Sequence, residues 1–148
     1  MQTVERTLTV PQPLSRVWDY VSDFTSTVDW DPPTQECERT TSSGEDGKGV
    51  GTVYRNVSKV AGSNTEIIYT VTEYVARERL QLRGDMSTMN LLDTITFSGD
   101  EKSTTLTYHA EFDPKGVAKL VEPVLPLGLK RLGDKTADSL EETLRALP

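Results

Sequence analysis

Three side chains able to handle protons fall on the apolar faces of strand-like segments. Asp93 shares a face with Leu91, Ile95 and Phe97 in the segment 90–99, and Tyr108 shares one with Leu106, Ala110 and Phe112 in 102–112. Tyr69 lies with Ile67 and Val71 in 64–75, opposite Ile68, Thr70 and Thr72. A carboxyl turned inward beside phenols loses its water and titrates closer to neutrality, where it can give or take a proton. The same position also admits a structural role for Asp93, bonded to backbone or to Arg83 or reached by water.

Other chemistry is poorly supplied. His109 is the only histidine, on a face with Thr105, Thr107 and Glu111 that reads as outward. One histidine and one cysteine, Cys37, assemble neither a transition-metal site nor a nucleophile–base–acid set, and no cofactor is expected. The glycine-rich run Ser43–Gly51 lacks the Gly-Lys-Ser/Thr ending and the following helix of a phosphate loop, and Glu45 and Asp46 repel phosphate, so it reads as a hairpin.

Composition narrows the partners. A net charge of −7 over 148 residues, with no basic stripe, excludes a phosphate-backbone binder. No apolar run approaches the roughly 20 residues of a membrane span, and the alternating start is unlike a signal peptide, so neither nucleic acid nor membrane insertion is expected. With a lone cysteine, the chain reads as one cytoplasmic domain, residues 1–148.

The elements that position these residues follow from periodicity. A strand over about 2–10 ends at Pro11 and Pro13, and Leu14, Val17, Trp18 and Val21 mark a helix over about 13–22. A short turn leads to Trp30 and stops at Asp31-Pro32-Pro33. Strands are predicted at about 34–41, 50–60, 64–75, 78–84, 90–99 and 102–112, antiparallel because their connections are short. In 50–60 the inward face is open between Val53/Val57, which lie with Arg55 and Lys59, and Tyr54, which lies with Asn56 and Ser58. Glu36, Glu38 and Arg39 guard 34–41 as an edge strand, which favours a monomer or weak dimer.

Leu129, Leu132, Ala137, Leu140, Leu144 and Leu147 predict a long amphipathic final helix. Pro123, Pro126 and Gly128 are expected to break a first helical piece from it. That jointed apolar segment reads either as a lid beside the sheet opening or as a cap on the core.

This order of elements, with the opening Val10-Pro11-Gln12-Pro13-Leu14-Ser15-Arg16-Val17-Trp18-Asp19-Tyr20-Val21-Ser22-Asp23-Phe24, then Trp30, Gly47-Lys48-Gly49-Val50-Gly51-Thr52 and Tyr69-Thr70-Val71-Thr72-Glu73-Tyr74, resembles the START-related (SRPBCC) superfamily. Birch-pollen-allergen-like proteins and bacterial polyketide cyclase/dehydrase-like proteins belong to it, and the look is closest to the latter. The resemblance implies an α+β helix-grip fold, a curved antiparallel sheet of about seven strands around the C-terminal helix, with two short helices after the first strand. It also implies a hydrophobic cavity between sheet and helix, entered near the loops and the helix start.

On the inward faces, Tyr69, Val71, Leu82, Leu91, Asp93, Ile95, Tyr108, Ala110 and Phe112 are the candidate lining, joined by Trp30 and Tyr54. Met86 and Met89, read as part of a loop at 84–90, add adaptable apolar surface at the entrance. Leu120 and Val124 join from the jointed segment, Leu129 and Leu132 from the helix. The leading function is binding of a small hydrophobic or aromatic ligand. The rival is a cofactor-free polyketide cyclase/dehydratase-type enzyme using Asp93, Tyr69 and Tyr108. A protein-interaction module, offering the apolar segment Leu120–Leu129, is the third.

Overall fold

The computed structural model describes residues 1–60, 62–116 and 125–148, with 125–127 as backbone alone. Strand β1 (Gln2–Val10) alternates as predicted, burying Leu8 and Val10 while Thr7 and Thr9 face water. The chain then forms α1 (Leu14–Val21), a 3-10 turn (Phe24–Ser26) and α2 (Thr27–Trp30). Six strands joined in five successive antiparallel pairs follow: β2 (Thr34–Thr41), β3 (Val53–Val60), β4 (Ser63–Val75), β5 (Arg79–Met86), β6 (Met89–Gly99) and β7 (Thr104–Pro114). Helix α3 (Leu125–Arg145) completes the order.

The seven strands make one antiparallel sheet in the order β1-β7-β6-β5-β4-β3-β2, so β1 and β2 are its two edges. The chain between them must cross the sheet, and α1, the turn and α2 are that crossing. They cover one end of the inner face. Trp18, 2% exposed, packs edge-on against Phe97 of β6 and Tyr74 of β4 at 5.0 and 5.2 Å. Phe24 does the same against Tyr69 and Tyr54 at 5.0 and 6.0 Å. Irregular registers at Thr34/Glu36, Arg39/Thr41 and Val71/Glu73 mark bulges that bend the β2–β5 side of the sheet.

Helix α3 closes the other end unevenly. Its main contacts are with β1, with a few to α2, so it spans the concave face without lying flat on the central strands. Gly133 sets that approach: a Cβ there would stand 2.5 Å from Val4 Cγ1. At the far end, Gln12 Nε2 donates to the carbonyl of Arg145, the last residue of α3, at 3.3 Å and to that of Leu147 at 2.9 Å, satisfying a helix-terminal acceptor. The result is the helix-grip arrangement.

Several expectations change in detail. Residues 84–90 are not a loop: Gly84, Asp85 and Met86 continue β5, and only Ser87 and Thr88 separate Met86 from its partner Met89. The open face of β3 resolves to Tyr54, Asn56 and Ser58 inward. Helix α3 runs unbroken through Pro126 and Gly128, because a proline in the first turn removes an N–H that has no helical partner. The separate helical piece at 117–121, Pro123, Leu120 and Val124 lie outside the described residues.

Candidate functional site

Between the uncovered half of the sheet and α3 lies a cavity of about 500 Å³, within the range of small-molecule sites. Every strand but β2 contributes part of its inner face: Val4, Arg6 and Leu8 from β1, Ser58 from β3, Ile67 and Tyr69 from β4, Met86 from β5. Leu91 and Asp93 come from β6, and Tyr108, Ala110 and Phe112 from β7. Leu129, Leu132, Thr136, Ala137 and Leu140 close it from α3. Lys59, Val60 and Met89 stand at strand ends, and Thr88 in the turn between β5 and β6.

Most of this wall is apolar, and its polar groups gather where cavity meets packed core. Tyr108 Oη donates to Asp93 Oδ2 at 2.7 Å. The Tyr108 ring is held from the core side by Trp30, edge-on at 5.8 Å, and Trp30 Nε1 donates to Ser26 Oγ at 3.0 Å. Tyr69 leans over Gly84, its cross-strand partner, which has no side chain to displace the ring. Asp31 enters from the end of α2, where the following proline forces extended backbone (φ −98°) and ends the helix. Thr34 Oγ1 donates to Asp31 Oδ2 at 2.6 Å and accepts from Asn56 Nδ2 at 3.1 Å, and Ser58 Oγ donates to Asn56 Oδ1 at 2.6 Å.

Burial decides the protonation of this group. It pushes the Asp93 carboxyl up to about 7, against the pull of the Tyr108 bond and with help from the Asp31 charge. The Asp31 carboxyl is enclosed although part of the residue remains exposed, and burial lifts it to about 6 against the Thr34 bond. Burial first, and the Asp93 charge second, hold the Tyr69 and Tyr108 phenols well above their ordinary value, so both remain protonated. The site therefore offers two carboxyls able to exchange protons near neutrality and two fixed phenolic donors. Among the described residues, no group of three or more His, Cys, Asp or Glu is placed to hold a metal, and no helix is long and apolar enough to cross a membrane.

The family model for polyketide cyclase/dehydrase and lipid transport matches residues 1–145. The chain belongs to this family. No curated protein matches the sequence significantly. Among solved structures, a START superfamily protein from Mycobacterium smegmatis superposes with a TM-score of 0.77 at 17% identity, covering 99% of each chain. The Zhui aromatase/cyclase from Streptomyces sp. R1128 gives 0.76 at 19%, covering 97% of this chain and 93% of that one. The birch-pollen-allergen-like Ara h 8.0201 gives 0.68 at 16%, covering 99% of each. At these identities the likeness is one of fold. Family and fold are consistent with hydrophobic-ligand binding or polyketide cyclase activity.

In this member of the polyketide cyclase/dehydrase and lipid-transport family, Tyr69, Leu91, Asp93, Tyr108, Ala110, Phe112, Leu129 and Leu132 stand in the cavity wall where the strand and helix periodicity directs them, and Met86 and Met89, expected on a loop, reach it from the ends of β5 and β6. Trp30, Tyr54, Val71, Leu82 and Ile95 do not: they are buried in the packed core and are not part of the cavity wall. Trp30 instead backs Tyr108. His109 sits on the outer face, 3.3 Å from Glu5. Arg6, Asp31, Ser58 and Thr136 are wall residues that the sequence reading missed. Arg6 carried a signal, since it shares the β1 face of Val4, Leu8 and Val10. Asp31 carried one only in the proline after it.

Proposed function

We propose that the protein binds a small apolar or aromatic molecule in the cavity between sheet and α3, its polar end oriented by Asp93, Tyr69 and Tyr108. The observation that carries this reading is the collection of polar side chains at one place in an otherwise aliphatic and aromatic wall. Removing ligand surface from water supplies affinity at about 25 cal/mol per Å², and the few fixed polar groups restrict orientation. We read the chain as a single cytoplasmic domain, monomeric or weakly dimeric, with no cofactor.

Native mass spectrometry of protein purified from its own cells tests this, followed by identification of any extracted compound and a thermal-shift titration with it. An apolar compound that raises the melting temperature supports the reading. Protein that is empty and indifferent to a broad apolar panel overturns it and points to protein partners.

A second reading, a cofactor-free cyclase/dehydratase-type enzyme, is favoured by Asp93 standing near neutrality beside a phenol. Asp93 would take a proton from carbon next to a ketone while a phenol donates to the oxygen that gains charge. Asp93→Asn separates the two: an enzyme loses turnover while retaining ligand, and a carrier retains its occupancy with no turnover to lose.

A further inference from the structure

Among the described residues, the polar floor of the cavity gathers two carboxyls with no basic side chain paired to them. Asp93 is 4% exposed, and among the described residues only its Oδ2 has a partner, Tyr108. Tyr69 is 7% exposed and lines the wall, yet among the described residues nothing hydrogen-bonds its hydroxyl. Asp31 adds a second carboxyl, whose hydrogen-bond partner among the described residues is the Thr34 hydroxyl.

No ion pair among the described residues includes either acid. The two basic side chains of the wall are occupied or outside. Arg6 donates to Asp134 Oδ1 at 3.0 Å, to the Lys130 carbonyl at 3.2 Å and to the Glu5 carbonyl at 2.7 Å. Lys59 is exposed at the end of β3. The α3 residues of the wall, Leu129, Leu132, Thr136, Ala137 and Leu140, are uncharged. Among the described residues, Cys37 of β2, opposite Asn56, and the Tyr108 phenol are further titratable groups near this floor.

A buried carboxylate without a counter-charge is costly, and a ligand that brings the cation removes the cost. A ligand carboxylate meets repulsion, and a neutral ligand gains the apolar contribution and hydrogen bonds without the charge attraction. We infer that the ligand is a small apolar or aromatic amine, its ammonium group seated against Asp93 and Asp31 and its hydrocarbon body against Ala110, Phe112, Leu129 and Leu132. This rests on the binding reading above and narrows its ligand class.

Calorimetric titration of the full chain with naphthylethylamine, naphthylethanol and naphthylpropionate, which share one ring system, tests it. At about pH 6.5 both floor carboxyls are partly protonated, and a cation drawn against them expels protons. The amine is expected to bind about tenfold or more tighter than the alcohol and the propionate weakest, a carboxyl beside a cation titrating at least that much lower. Amine binding should release protons, seen as a heat that varies with buffer ionisation enthalpy.

Asp93→Asn, whose amide oxygen still accepts from Tyr108, should weaken the amine several-fold more than the alcohol. If that variant does not fold, proton release by the unaltered protein decides. An amine no tighter than the alcohol, or one that releases no protons, overturns the amine assignment while alcohol binding leaves the binding reading standing. Failure of all three compounds to bind overturns both.

Discussion

Tyr108 and Asp93 meet diagonally across β7 and β6: Tyr108 stands opposite Ile95 and Asp93 opposite Ala110, and the phenol reaches along the pair to the carboxyl at 2.7 Å. Ala110 leaves the space that this reach needs. The bond favours the charged carboxylate, but burial acts the other way and is the larger effect, helped by Asp31, so the carboxyl settles at about 7. The pair lies where packed core gives way to cavity, and several consequences can be measured.

The Asp93 carboxyl titrates higher in the folded protein than in the unfolded chain. Its contribution to stability is therefore complete below about pH 4 and is lost as pH rises through about 7. Asp31 adds a similar loss ending near 6. Asp93→Asn should stabilise the protein at pH 8, by on the order of 4 kcal/mol at most, with no such gain at pH 4. Thermal denaturation of both proteins at the two pH values checks this. An equal change at both would show that Asp93 is not a desolvated carboxyl.

Thr34 joins Asp31 to Asn56 through one hydroxyl. Thr34→Val keeps the shape but removes a donor from Asp31 and an acceptor from Asn56, at an expected cost of about 1–3 kcal/mol in urea denaturation. Because that donor favours the ionised carboxyl, the Asp31 titration followed by carbon-detected NMR should move upward. An unmoved titration would rule out the Thr34 bond as a control on Asp31.

Gly84 makes room for Tyr69. A Cβ there would stand 2.8 Å from Tyr69 Cε1 and 3.0 Å from Leu91 Cβ. Gly84→Ala should cost about 1–3 kcal/mol and push the Tyr69 ring into the cavity, weakening any ligand that binds there. Stability and affinity measured on one preparation test the two effects together. Loss of stability with unchanged affinity would place the ligand away from Tyr69.

Gly133 sets two effects against each other. Alanine gains up to about 1 kcal/mol in helix propensity, whereas a Cβ 2.5 Å from Val4 Cγ1 overpacks the α3–β1 contact at about 1–3 kcal/mol. Overpacking is the larger, so Gly133→Ala should lower the melting temperature. A rise would mean that α3 can lift from β1 freely.

Much of the site was legible from periodicity. Strands have period two, so Asp93, Tyr69 and Tyr108 could be assigned inward from their neighbours alone. The same rule left β3 open, because its inner face is the polar set Tyr54, Asn56 and Ser58 and its outer face carries Val53 and Val57. Gly84 and Asp85 read as a turn by composition, yet they remain in β5 because Ser87 and Thr88 suffice to reverse the chain and Gly84 is needed under Tyr69.

By itself the sequence determined the order of elements, the inner face of most strands and the stopping of α2 at Asp31, since each depends on neighbours within a few residues. Only the tertiary structure decided which part of each inner face opens on a cavity. Val71, Leu82 and Ile95 carry the same alternation signal as Ile67 and Leu91, but the first three are packed into the core, and α3, held against β1 at Gly133, spans the others without filling the space beneath. It likewise brought Asp31 to Asp93, two acids far apart in the chain whose shared burial, invisible to any local pattern, makes both titrate near neutrality.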